Sequence, residues 1–107
     1  MKTFKNKVAV ITGAGSGMGR YLAVLLAKDG ADVCICDVNE KTLSETSAML
    51  RKFNVSVSSH ILDVSDKEAI EALPQKVIDQ HGKVDMVFNN AGVTAGSHFQ
   101  DMKEDNW

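Results

Sequence analysis

The chain has 107 residues, which fits one domain over residues 1–107 and leaves little room for a second. Hydrophobic residues make up 44% and charged residues 24%, the balance of an ordinary globular chain. A net charge of -2 offers nothing to attract nucleic acid or an anionic membrane, so neither is expected as a partner.

The start, Met1 to Lys7, is basic, but the apolar run behind it is only Val8-Ala9-Val10-Ile11 before glycines interrupt it. That run is too short for a secretory h-region and far too short to span a bilayer. Lys7 to Thr12 reads instead as an apolar, β-branched strand of the kind buried on both faces of a parallel sheet. A glycine-rich loop follows, Thr12-Gly13-Ala14-Gly15-Ser16-Gly17-Met18-Gly19. The first helix is predicted from about Gly17 to Asp29, with Gly30 just past its end. Tyr21, Leu22, Leu25 and Leu26 give it an apolar stripe expected to face the sheet. A strand that ends in glycines and turns straight into a helix is a phosphate cradle. Unpaired backbone N–H groups and the positive end of the helix dipole converge there, and glycine lets an anion approach.

Ala31 to Asp37 reads as a second buried strand. It carries the only two cysteines, Cys34 and Cys36. Their spacing suits neither a disulfide nor a two-pair zinc site, so two buried free thiols and a reducing, cytoplasmic setting are expected. Asn39 can cap a second helix from about Glu40 to Phe53, with Leu43, Ala48 and Leu50 among its apolar positions. Val55 to Leu62 alternates weakly, as a strand near a sheet edge does. Ser65 and Glu68 have the spacing of a capping box for a third helix up to His81. Pro74 lies inside it and predicts a kink or a break. Gly82 ends the helix. Val84 to Phe88 is a fourth strand opening into Asn89-Asn90-Ala91-Gly92, and Val93 to Trp107 lacks a strong period. His60, His81 and His98 lack ligand spacing, so no metal is expected.

Strands alternating with helices imply a parallel sheet, and right-handed crossovers put the first two helices on one face and the third on the other. The predicted fold is therefore α/β, a Rossmann-like three-layer arrangement with strand order 3-2-1-4, the chain stopping after the fourth strand. Ligands bind where such an order reverses, outside the carboxyl ends of the strands. The glycine loop and Asn89–Gly92 end the two strands that flank that point.

The usual G-x-G-x-x-G fingerprint is absent, since Met18 or Arg20 falls at its last position. The spacing present is T-G-x-x-x-G-x-G, with glycines at 13, 17 and 19. With Asp37 after the second strand, Asp63-Val64 after the third and Asn89-Asn90-Ala91-Gly92 after the fourth, the chain resembles the short-chain dehydrogenase/reductase family from Lys7 to Trp107. The resemblance implies that Gly13, Ser16, Gly17, Met18 and Gly19 hold the pyrophosphate and adenosine ribose of a dinucleotide. It implies that Asp37, with Val38 beside it, takes the ribose hydroxyls. Asp63 and Val64 fall to adenine, and Asn90, Ala91 and Gly92 to the nicotinamide ribose, while Asn89 is expected to bond backbone and brace the sheet rather than touch the cofactor. A carboxylate at 37 repels a 2′-phosphate, and neither Ser16 nor Val38 supplies a base, so NAD is expected over NADP.

The resemblance also implies a catalytic tyrosine with a lysine four residues on, joined by a serine and an asparagine. The only tyrosine here is Tyr21, and four residues on stands Leu25. The family's catalytic residues fall after Trp107, so no catalytic residue is assigned, and the chain alone is not expected to be a competent oxidoreductase. A sheet that stops at its fourth strand leaves an edge that predicts self-association or pairing with a partner. Two other readings carry less of the pattern. One is a non-catalytic module that binds dinucleotide or pairs with a longer relative. The other is a Rossmann-type methyltransferase fragment, which Gly13-x-Gly15-x-Gly17 also fits and which Thr12 and Asn89–Gly92 oppose.

Overall fold

The computed structural model describes residues 4–90. Along the chain run β1 (Val8–Thr12), α1 (Gly17–Lys28), β2 (Asp32–Asp37), α2 (Glu40–Leu50), β3 (Val57–Ile61), α3 (Lys67–His81) and β4 (Met86–Asn89). The strands form one parallel sheet in the order β3-β2-β1-β4. The fold is the predicted Rossmann-like α/β arrangement.

Alternation along the central strands sorts the core into two layers. Ala9 and Ile11 of β1, with Val33 and Ile35 of β2, point to one face, where Ala23, Leu26, Leu43 and Leu50 of α1 and α2 cover them. Val8, Val10, Cys34 and Cys36 point to the other, where Leu73 and Val77 of α3 cover them. All five residues of β1 are buried, as a strand covered on both faces requires. Each fully buried Ile, Leu or Val contributes about 2 kcal/mol from apolar surface removed from water.

The sheet-facing side of α1 differs from the predicted stripe. Tyr21 is 62% exposed and Leu25 44% exposed, whereas Gly19, Ala23, Leu26 and Ala27 are buried and Leu22 is half-buried. The cause is how near the helix lies to the strands. A Cβ placed on Gly19 would stand 2.1 Å from the Gly13 carbonyl oxygen, so only glycine fits at that position, and the next turn is filled by Ala23 and Ala27. The larger side chains are turned outward.

The other elements differ mainly at their ends. Asn39 caps α2 as expected, its side chain accepting from Thr42 N at 3.0 Å. That helix stops at Leu50 rather than Phe53, and its buried side is Leu43, Thr46, Ser47 and Leu50, with Ala48 exposed. The cap of α3 is Asp66, accepting from Ala69 N at 3.2 Å, and not Ser65. Ser65 is taken up by Asp63, which accepts both its N–H and its hydroxyl. α3 runs unbroken through Pro74; buried Leu73 and Val77 on either side anchor both halves to the sheet. Gly82 closes it at φ 86°.

Two polar ties steady the far side of the sheet. Asp85 accepts from Val8 N at 2.8 Å, which holds its carboxyl below the usual range and fixes the entry of β1 beside β4. His81 Nε2 lies 2.7 Å from Ser58 Oγ, tethering the end of α3 to β3. Burial keeps His81 and His60 below the usual imidazole range. Cys34 and Cys36 are free and buried, as expected; the Cys34 thiol alongside and burial push the Cys36 thiol up.

Candidate dinucleotide site

Register brings the candidate residues to one end of the sheet. Thr12 pairs with Cys36 on one side and with Asn89 on the other, and Asp37 pairs with Ile61. The carboxyl ends of all four strands therefore lie along one line. The loop from Gly13 to Ser16 starts at its centre, where the strand order reverses. Asp37 and Val38 stand at the end of β2. Asp63 lies two residues beyond the point opposite Asp37, and Leu62 N bonds Asp37 O at 2.9 Å.

Polar contacts from every side fix the loop. Thr12 Oγ1 donates to Asn89 Oδ1 at 2.8 Å, joining β1 to β4, so Asn89 braces the sheet through a side chain. Ala14 N bonds Cys36 O at 3.0 Å, which continues the pairing of β1 with β2 into the loop. Asn90 Nδ2 donates to Gly13 O at 3.3 Å and so grips the loop from β4. Gly13 and Gly17 take φ of 65° and 58°, values that an L side chain resists. The glycines serve two needs: Gly13 and Gly17 a left-handed backbone, Gly19 close packing.

The open side of the loop is the start of α1. Ser16, its N-cap, makes no side-chain capping bond. Ser16, Gly17 and Met18 are exposed, and the space a Cβ on Gly17 would enter holds no atom within 4 Å. The first N–H groups of a helix have no partner within it, and an anion is what they and the dipole favour. Met18 at 65% and Val38 at 62% exposure are large apolar side chains left on the surface around this opening.

Asp37 is held in place by its own loop. Its Oδ2 accepts from Gly15 N at 2.8 Å and its Oδ1 from Asn39 N at 3.1 Å. Each carboxylate oxygen has a second lone pair, so both can accept again from a pair of hydroxyls. Gly15 fits between Asp37 and Thr42; a Cβ there would stand 2.8 Å from Asp37 Oδ2 and 2.5 Å from Thr42 Oγ1. Asp63 is exposed and ionises readily, because the Ser65 N–H and hydroxyl stabilise its charge on Oδ1. Val64 is half-buried beside it. Ala91 and Gly92 lie outside the described residues. No group of three or more His, Cys, Asp or Glu that could hold a metal stands among the described residues.

Three contributors are invisible to motif reading: Gly15, Thr46 and Arg20. Gly15 supplies the N–H that orients Asp37. Thr46, fully buried in α2, donates to Ala14 O at 2.8 Å. Arg20 reaches from α1 to Gly15 O and to α2. Its one signal in the sequence is a positive charge in the second turn from a helix N-terminus, where the dipole disfavours it.

Comparison with known proteins agrees with this geometry. The family model described as short chain dehydrogenase matches residues 7–107. A probable oxidoreductase of Mycobacterium tuberculosis, EphD, is 40% identical over 98 residues, 92% of this chain and 17% of its own length. The crystal structure of an NAD+-bound xylitol dehydrogenase superposes with a TM-score of 0.82 at 35% identity, over 97% of this chain and 40% of that one. A carveol dehydrogenase from Mycobacterium avium, in complex with NAD, gives 0.82 at 29% identity, over 98% of this chain and 43% of that one. The chain thus spans less than half the length of these relatives.

Proposed function

The chain belongs to the short chain dehydrogenase family, and on that premise we propose that residues 1–107 form one domain that holds the dinucleotide of an oxidoreductase. The observation that carries the proposal is the Gly15–Asp37 bond of 2.8 Å, which locks an acceptor for ribose hydroxyls to the loop that faces the pyrophosphate. NAD, when bound, supplies the hydride acceptor or donor. The chain's own residues bind and orient it. Gly13, Gly17 and Gly19 keep side chains out of the way, and Ser16 and Met18 offer backbone N–H groups. Asp37 and Val38 take the adenosine ribose, and Asp63 with Val64 the adenine. The family resemblance assigns Asn90, Ala91 and Gly92 to the nicotinamide ribose.

NAD rather than NADP follows from charge. A 2′-phosphate beside Asp37 would meet its carboxylate, and unit charges 4 Å apart repel by about 4 kcal/mol at an effective dielectric of 20. The methyltransferase reading is set aside by the family match and by the NAD-bound neighbours. Titration with NAD and S-adenosylmethionine side by side tests this choice; tighter binding of S-adenosylmethionine overturns it.

Proton transfer is a separate matter. Tyr21, the only tyrosine in the sequence, has Leu25 four residues on and faces solvent from α1. These residues therefore bind and orient a cofactor, and no acid or base for the hydride step is assigned among them.

Self-association through the β4 side is part of the same proposal. Among the described residues β4 is the last strand in the order, and a groove of about 710 Å³ lies between it and α1, lined mostly by Phe4, Leu22, Leu25, Leu26 and Phe88, with Lys28 and Asp29. Covering that apolar lining gains free energy, whether the cover is a second copy or a partner. Sedimentation velocity should show a concentration-dependent dimer or larger species; a monomer across the accessible concentration range contradicts it.

A further inference from the structure

We infer that Arg20 is a positioning residue that sets which way the Gly15–Ser16 peptide faces, and so turns the loop into an anion receptor. The inference rests on the dinucleotide reading above and adds a residue to it.

The geometry is specific. Arg20 Nη2 donates to Gly15 O at 2.6 Å and to Thr42 O at 3.0 Å, while its Nε donates to Thr46 Oγ1 at 2.8 Å. Thr46 lies 2.8 Å from Ala14 O. The carbonyls of two successive loop peptides are thus drawn to the α2 side of the loop. In a trans peptide the N–H points opposite to the C=O. The first peptide shows the consequence: with Ala14 O held by Thr46, Gly15 N points at Asp37 Oδ2, 2.8 Å away. For the second, Arg20 holding Gly15 O aims the Ser16 N–H away from α2, on the side where Ser16 and Gly17 are exposed.

That peptide needs a restraint. It begins at a glycine, whose backbone rotates with little steric resistance. If it flipped, a carbonyl oxygen rather than an N–H would face the opening, and an anion there would be repelled. Bonds from a charged donor are about twice as strong as neutral ones, so a guanidinium is an effective anchor. The ion pair of Arg20 with Glu45, at 3.2 Å, is a separate matter: the Glu45 side chain is 51% exposed, so the pair adds little.

Arg20→Met and Arg20→Lys test the inference, with Glu45→Gln as control and NAD, ADP and adenosine as probes. Wild type must first bind NAD and ADP; if it binds neither, the dinucleotide reading itself falls. Given that binding, Arg20→Met is expected to weaken NAD and ADP by about tenfold or more, the loss typical of a charged hydrogen bond. Adenosine, which has no phosphate, should change less than twofold. Arg20→Lys should fall between wild type and Arg20→Met, and Glu45→Gln should match wild type. NAD and ADP affinities unchanged in Arg20→Met overturn the inference, as does an equal loss for adenosine. Should Arg20→Met fail to fold, Arg20→Lys decides by the same comparison of ADP with adenosine.

Discussion

Replacing Gly19 with alanine should cost the fold on the order of 3 kcal/mol, at the upper end of what overpacking does, and remove dinucleotide binding with it. The added Cβ would lie 2.1 Å from Gly13 O and 2.8 Å from Gly13 C, with Asn90 Nδ2 at 2.9 Å. Two of these three atoms are backbone, and that backbone has little room to move. Thr12 before it pairs with strands on both sides, and Ala14 after it bonds Cys36 O. Relief must come from moving α1 off the sheet, which opens the layer held by Ala23 and Leu26. A loss of that size lowers the melting temperature by roughly 10–20 °C in a domain of this length. Gly17→Ala is the informative control, because its Cβ meets nothing within 4 Å and its φ is 58°. It should cost only about 1–2 kcal/mol of left-handed backbone strain. Thermal unfolding of the two variants checks the account; equal losses would mean that close packing at Gly19 is not the constraint described.

The second large effect is on cofactor choice. Asp37→Ala removes the acceptor of the Gly15 and Asn39 N–H groups and the proposed acceptor of the ribose hydroxyls together. Losing hydrogen bonds to a charged group costs about 1.5–3 kcal/mol, so NAD should bind about 10- to 100-fold more weakly. NADP should not suffer in the same way, because the repelling carboxylate is gone. The ratio of NAD to NADP affinity therefore falls. A variant that loses NAD and NADP in equal proportion would show that Asp37 only supports the loop and does not select the cofactor.

The first effect depends on how α1 meets the sheet, and that is where sequence and structure part. The order of elements was legible because each parallel strand is a short apolar run and each loop carries its own punctuation. The strand order followed from handedness, and the two-layer core from alternation. The loop glycines at 13, 17 and 19 were legible by spacing, as was Asp37 by its place after β2. The sheet-facing side of α1 was not. Tyr21 and Leu25 form an apolar stripe in one dimension, yet the interface admits only Gly19, Ala23 and Ala27 alongside Leu26. Hydrophobicity reports what prefers burial; it does not report how much room there is. Gly15 and Arg20 escaped for a related reason. Their partners, Asp37, Thr42 and Thr46, lie 22 to 27 positions further along the chain, on β2 and α2, and no local pattern links them. The cap of α3 shows the same limit at short range. Ser65 has the spacing of a cap, but Asp63 takes both of its donors and Asp66 caps instead.

The central claim is that these residues form a receptor for NAD. Calorimetric titration of the chain with NAD and with NADP, at one ionic strength, tests it most directly. The account predicts saturable binding of NAD, with NADP weaker by at least about tenfold from the charge on Asp37. No saturable binding of NAD, or NADP bound as tightly as NAD, would contradict it.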